Sequence, residues 1–146
     1  MLQRDILMRQ IQQAVQVLMQ VMAEVLKLKS QGRYEEAIQS IREAFGEVEL
    51  SSRPVSELSA EELLELCRTE RGFAVDLALS VADLLREEAD VLLQRDDLER
   101  ARDSAAKAHA LYEESLSTEG AALPMDIAQR IEDVEEIMSV IDDEKD

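Results

Sequence analysis

One cysteine, Cys67, and one histidine, His109, are the side chains of this 146-residue sequence best suited to nucleophilic or acid–base chemistry. A thiol attacks as its thiolate, so it needs a base to take the proton and a third group to orient that base. Cys67 lies in Leu64-Glu65-Leu66-Cys67-Arg68, and the sole histidine is 42 positions away. Cys67 is therefore expected to be a buried structural thiol, and His109 a partly exposed helix residue. A single histidine also leaves out helical zinc-protease motifs and the paired Glu/His ligation of di-iron bundles. Carboxylates cluster at Glu87, Glu88, Asp90, Asp96, Asp97, Glu132, Asp133, Glu135 and Glu136. None of these groups has the calcium-loop spacing around a central glycine, so solvated helix faces are expected. Gly32, Gly46, Gly72 and Gly120 stand alone, which excludes a glycine loop cradling phosphate. The expectation is a chain that is not an enzyme, with no catalytic residue, no metal and no cofactor.

The charge is unevenly spread. There are 33 acidic and 16 basic residues, a formal −17, and successive thirds (1–50, 51–100, 101–146) carry −1, −7 and −9. Such a surplus repels phosphate backbones and anionic membrane surfaces, so neither nucleic acid nor membrane is an expected partner. No apolar run reaches the length of a membrane span, and the amino terminus lacks a basic segment followed by an apolar core. A lone cysteine fits a reducing compartment, and a cytoplasmic location is expected. The near-neutral first third is the better place to seek a protein partner.

The elements that must position these residues are helices. With 46% apolar residues, 3% aromatic, 4 glycines and 2 prolines, the composition favours one all-α domain over residues 1–146. Residues 2–30 hold neither Gly nor Pro, and apolar residues recur at Leu7, Ile11, Ala14, Leu18, Val21, Val25 and Leu28. A second row at Met8, Val15, Met19, Met22 and Leu26 widens that seam, predicting a first helix covered on two sides. Gly32 suits a left-handed stop. A second helix is expected over 33–45, ended by Gly46. A short one over 60–69 opens on the capping box Ser59/Glu62 with the staple Leu58/Leu63. A fourth helix spans about 73–95, facing inward with Leu77, Val81, Leu84, Leu85, Ala89 and Leu92. Asp96 and Asp97 form a turn and cap the next helix through their side chains. The fifth, 98–116, has the small-residue row Ala101, Ala105 and Ala108. Pro124 suits the first turn of a last helix, with Ile127, Ile131, Val134, Met138 and Ile141 inward and a frayed tail from Asp142.

Gly32-Arg33-Tyr34-Glu35-Glu36-Ala37 with Ala44 matches Asp96-Asp97-Leu98-Glu99-Arg100-Ala101 with Ala108 at an offset of 64. At these residues the chain resembles the tetratricopeptide repeat family, whose unit is an antiparallel helix pair. The match is degenerate, since Val25/Ala89, Leu28/Leu92 and Glu49/Glu113 occupy the positions of the helix-A small residue, the helix-A aromatic and the closing proline. The resemblance implies repeat-like units over about 18–51 and 82–115, an insertion over 52–72 and a capping helix over 124–142. It also implies a groove lined by Met19, Met22, Leu26, Lys29 and Ser30 with Asp83, Arg86, Asp90, Leu93 and Gln94, apolar above and open to filling by the inserted helix. The chain is similar as well to an uncharacterised family of short bacterial helical proteins, which implies a cytosolic location and no known activity.

The resulting expectation is a non-catalytic protein-interaction or scaffold module of unknown partner. It is expected to form a homo-oligomer, a dimer, through the first helix, with Leu7, Met8, Ile11, Val15, Met19, Met22 and Leu26 as the candidate surface. Two alternatives are carried. An acidic nucleic-acid mimic would occupy a basic partner through residues 119–146, where 10 acids face 2 bases. A carboxylate enzyme with a divalent metal is the other.

Overall fold

The computed structural model describes residues 2–48 and 53–145, and for residues 2–7 and Lys145 the backbone only. Among the described residues there are six α-helices: α1 (Leu2–Ser30), α2 (Tyr34–Glu47), α3 (Ala60–Cys67), α4 (Val75–Gln94), α5 (Leu98–Ser117) and α6 (Ile127–Lys145). A short 3-10 turn, Val55–Glu57, precedes α3, and a two-residue hairpin, β1 (Arg68–Thr69) with β2 (Gly72–Phe73), follows it. The fold is all-α.

α4 is the axis of the domain. Apolar residues occur on every side of it, and Leu77, Ala78, Leu79, Val81, Ala82, Leu84, Leu85, Ala89, Val91 and Leu92 are all buried. A helix that is apolar around its circumference can be stable only when enclosed. α1, α2, α3, α5 and α6 all pack against it. α1 runs beside α4 in the same direction: Val15 lies across a cleft from Val75, and Lys29 pairs with Asp90 some four turns on. α2, α5 and α6 alternate in direction with their chain neighbours. The row Ala101, Ala105 and Ala108 is fully buried, and small side chains there let α5 approach α4 closely.

The turns between α1 and α2 and between α4 and α5 are alike. The Arg33 N–H donates to Leu28 O at 2.9 Å and the Gly32 N–H to Lys29 O at 3.0 Å. Sixty-four residues on, the Asp97 N–H donates to Leu92 O at 2.9 Å and the Asp96 N–H to Leu93 O at 3.1 Å. Both are Schellman closures, with Gly32 at φ +71° and Asp96 at φ +60° in the left-handed position. The expected side-chain cap from Asp97 is absent, because the backbone closure already positions this residue.

Several boundaries differ from expectation. Gly46 does not end α2. The helix continues to Glu47, and burial of Val48 beyond it outweighs the ~0.5–1 kcal/mol that a helical glycine costs. α3 stops at Cys67, because Arg68 and Thr69 pair with Phe73 and Gly72. The Thr69 hydroxyl fastens this hairpin by donating to Gly72 O at 2.8 Å, and the Ala74 N–H donates to Cys67 O at 2.7 Å. Pro124 sits before α6 rather than in its first turn, and its carbonyl accepts from the Ile127 N–H at 3.2 Å. The expected fraying from Asp142 is overridden: α6 remains helical to Lys145, and both Asp142 carboxylate oxygens accept from Arg102 of α5 at 3.1 and 3.2 Å. The capping box Ser59/Glu62 is formed as expected, and Leu58 and Leu63 are buried beside it.

Two stability predictions follow from the turns and from the enclosed helix. Asp96 accepts a conformation that costs a residue with a Cβ about 1 kcal/mol. Asp96→Gly should therefore raise the unfolding free energy by about 1 kcal/mol, and Gly32→Ala, although nothing crowds the added methyl, should lower it by a similar amount. Denaturant titration checks both. The second concerns Glu88, 6% exposed, whose carboxylate accepts from the Ser104 hydroxyl at 2.6 Å. Ser104→Ala should cost about 2 kcal/mol by stranding a buried carboxylate, while Ser104→Ala combined with Glu88→Met should recover most of it.

Candidate functional site

Glu87 and Glu88, expected on solvated helix faces, and Asp83, expected to line the groove, are instead held by neighbouring helices. Asp83 accepts from the Tyr112 hydroxyl of α5 at 2.6 Å and from Arg130 Nη1 of α6 at 3.1 Å. Glu87 pairs with Lys29 of α1, and Glu88 with Ser104 of α5. Burial favours the neutral Tyr112 phenol, and the charge of Asp83 pushes its pKa further up against the opposing pull of Arg86 and Arg130. Burial would lower the pKa of the Lys29 ammonium, but Asp90 and Glu87 outweigh it and hold the charged form above its usual range. Arg130 likewise keeps its charge, desolvation being offset by Asp83 and Asp126. These contacts tie three helices to α4.

Beside the Lys29 pair, α1, α4 and α6 enclose an open cleft of about 420 Å³. Lys29, Arg86, Asp90 and Leu93, four of the expected groove residues, line it together with Glu87 and with Asp133, Glu136, Ile137 and Val140 of α6. The expectation of an apolar groove is corrected: its centre is charged, because the pair Lys29/Glu87 needs its partner across the α1–α4 seam. The inserted helix does not fill it either. α3 packs against α5 and α4, where Lys107 Nζ reaches Ser56 O at 3.3 Å and Arg68 lies 3.7 Å from Glu114. Asp83 serves the α5–α6 contact instead of the cleft, and Gln94 and Ser30 are exposed outside it.

The candidate residues of the first helix divide by face. Ile11 is buried and belongs to the core, with Ala14, Leu18, Val25 and Leu28. Met8, Val15 and Met22 are half-buried, whereas Met19 is 64% and Leu26 47% exposed. The side chain of Leu7 lies outside the described residues. Met8, Ile11 and Val15 also border a second cleft, about 440 Å³, lined on its other side by Thr69 and by residues 71–76. The hairpin thus stands beside the amino-terminal half of α1, a contact without a signal in hydrophobic periodicity.

The two residues with chemistry of their own are placed as expected. Cys67 is buried, and the loss of solvation pushes its thiol up to about 12. His109 is half-buried on α5, with Nε2 3.6 Å from carboxylate oxygens of both Glu113 and Glu135. Among the described residues, no three or more His, Cys, Asp or Glu side chains gather in a way that could hold a metal ion. No helix among them is long and apolar enough to cross a membrane. The chain matches no protein-family model, no curated protein and no solved structure.

The thiol supplies a prediction with a definite sign. In the unfolded chain Cys67 loses its proton near its ordinary value of 9.0, and in the folded chain only near 12. Its contribution is complete below pH 9.0 and is lost as pH rises toward 12. Stability should fall with pH in that window, and less steeply in Cys67→Ala. At pH 8 a thiol reagent should label Cys67 only after denaturant is added.

Proposed function

We propose that the protein is a non-catalytic interaction module that associates with a second copy of itself through α1. The observation carrying this reading is the row in which Met19 and Leu26 stand open to solvent while Met8, Val15 and Met22 are half-covered. Methionine suits such a surface, being flexible and polarizable. Charge opposes a second copy less here than on the acidic helices: α1 carries Arg4, Arg9, Lys27 and Lys29 against Asp5 and Glu24, whereas the chain as a whole stands at −17. Two copies meeting on α1 avoid the like-charge repulsion that α6 faces would create.

The pairing of α1 with α2 and of α4 with α5, with the same turn at an offset of 64, supports reading these pairs as degenerate tetratricopeptide-like units. A cytoplasmic setting is part of the same proposal.

Sedimentation equilibrium tests the association. The unaltered chain should be dimeric at about tens of micromolar, and Met19→Glu with Leu26→Glu should give a folded monomer. These two positions suit the test better than Ile11, whose replacement by Glu would strand a charge in the core. A monomer throughout the concentration range would remove the proposal.

A further inference from the structure

The cleft between α1, α4 and α6 has an apolar strip beside its charged pair and an unbalanced acidic rim, and neither Met19 nor Leu26 lines it. Leu93 is half-buried, Ile137 is nearly covered and Val140 is 39% exposed, so an apolar strip faces outward between the helices. Single exposed apolar residues are ordinary on a protein surface. Here the three border one cleft of about 420 Å³, whose lining acids outnumber its bases.

The basic side chains in the cleft are already engaged. Lys29 pairs with Glu87 and lies 2.6 Å from Asp90, and Arg86 reaches Glu87 at 3.7 Å. Two carboxylates on the α6 side are left over. Asp133 accepts from the Gln129 amide at 3.0 Å, and no cation among the described residues forms an ion pair with either Asp133 or Glu136. Elsewhere the structure engages charges it brings between helices: Asp83 with Arg130, Asp142 with Arg102. A rim of two unengaged acids above an apolar strip is complementary to a chain segment bearing Lys or Arg beside an apolar side chain.

From this geometry we infer that the cleft binds a short basic, partly apolar peptide segment of a partner protein, its apolar side chain on Leu93 and Val140 and its cations on Asp133 and Glu136. The Lys29 pair closes the floor and keeps the α1 and α4 walls in register, so the occupant meets a preformed site. Such a partner is distinct from a second copy of α1, and either association can be lost while the other remains.

Fluorescence anisotropy tests the inference with a short labelled peptide of Leu, Arg and Ser, beside a counterpart carrying Glu in place of every Arg. Saturable binding of the first and none of the second is expected. Asp133→Asn with Glu136→Gln should weaken it about tenfold, two rim contacts of ~0.7 kcal/mol each. Glu119→Gln with Glu132→Gln, the same loss of charge outside the cleft, should change it by less than about twofold. Circular dichroism confirms that each variant folds. Equal weakening by both pairs would mean diffuse attraction to an acidic surface and would overturn the inference, as would absence of saturable binding or indifference to the rim pair. The dimer test with Met19→Glu and Leu26→Glu is read separately, so failure of one does not decide the other.

Discussion

Enclosure of α4 is the constraint on which the rest of the molecule depends. A helix with packing partners all around must satisfy every polar group it carries inside the protein, since an unpaired buried charge costs several kcal/mol. α4 carries Asp83, Glu87 and Glu88 at positions where water is largely shut out, and each calls for a partner on a neighbouring helix. Asp83 is met by Tyr112 and Arg130, Glu87 by Lys29, Glu88 by Ser104. α1, α5 and α6 are therefore positioned by directional contacts as well as by apolar packing, which alone would tolerate sliding along the axis. Among the described residues no buried side-chain nitrogen or oxygen is without a hydrogen-bond partner.

The same constraint shapes the surfaces. Because Lys29 is drawn inward to Glu87, the cleft beside it has a charged floor at one end and an apolar strip at the other. Because α6 is secured through Arg130 and through Asp142 to Arg102, its remaining carboxylates face outward. α1 has a different outer face: it spends Ile11, Leu18, Val25 and Leu28 on the core and still presents Met19 and Leu26 to solvent.

Helical periodicity made most of the fold legible. α1 spans the residues that lack Gly and Pro, the inward residues of α6 follow steps of three and four, and the Ser59/Glu62 box marks the start of α3. The short hairpin was illegible because two paired residues on each side leave no period, and its closure depends on Thr69 and Gly72 acting together. Gly46 read as a stop because local propensity knows nothing of Val48 finding a buried place two residues later. The cleft was half legible: the resemblance to the tetratricopeptide repeat implied a surface shared by Lys29, Arg86, Asp90 and Leu93, but Asp133, Glu136, Ile137 and Val140 of α6, which complete it, lie forty or more positions beyond Leu93 and carry no shared motif.

What the sequence determined by itself was the set of helices, the inward faces of α1 and α2, and the repeated turn at Gly32 and Asp96. These are local properties, written in residue spacing within one or two turns. Which carboxylates are buried and which solvated was decided only by tertiary structure. Glu87, Glu88 and Asp90 are near neighbours in sequence, yet Lys29 claims the first and third and Ser104 the second. Cys67 and His109 had the chemistry, but burial makes the Cys67 thiol hold its proton, and His109 Nε2 stands 3.6 Å from carboxylate oxygens of Glu113 and Glu135. The physical reason is that desolvation and pairing depend on what other helices bring to the site, and no window of neighbouring residues contains that information.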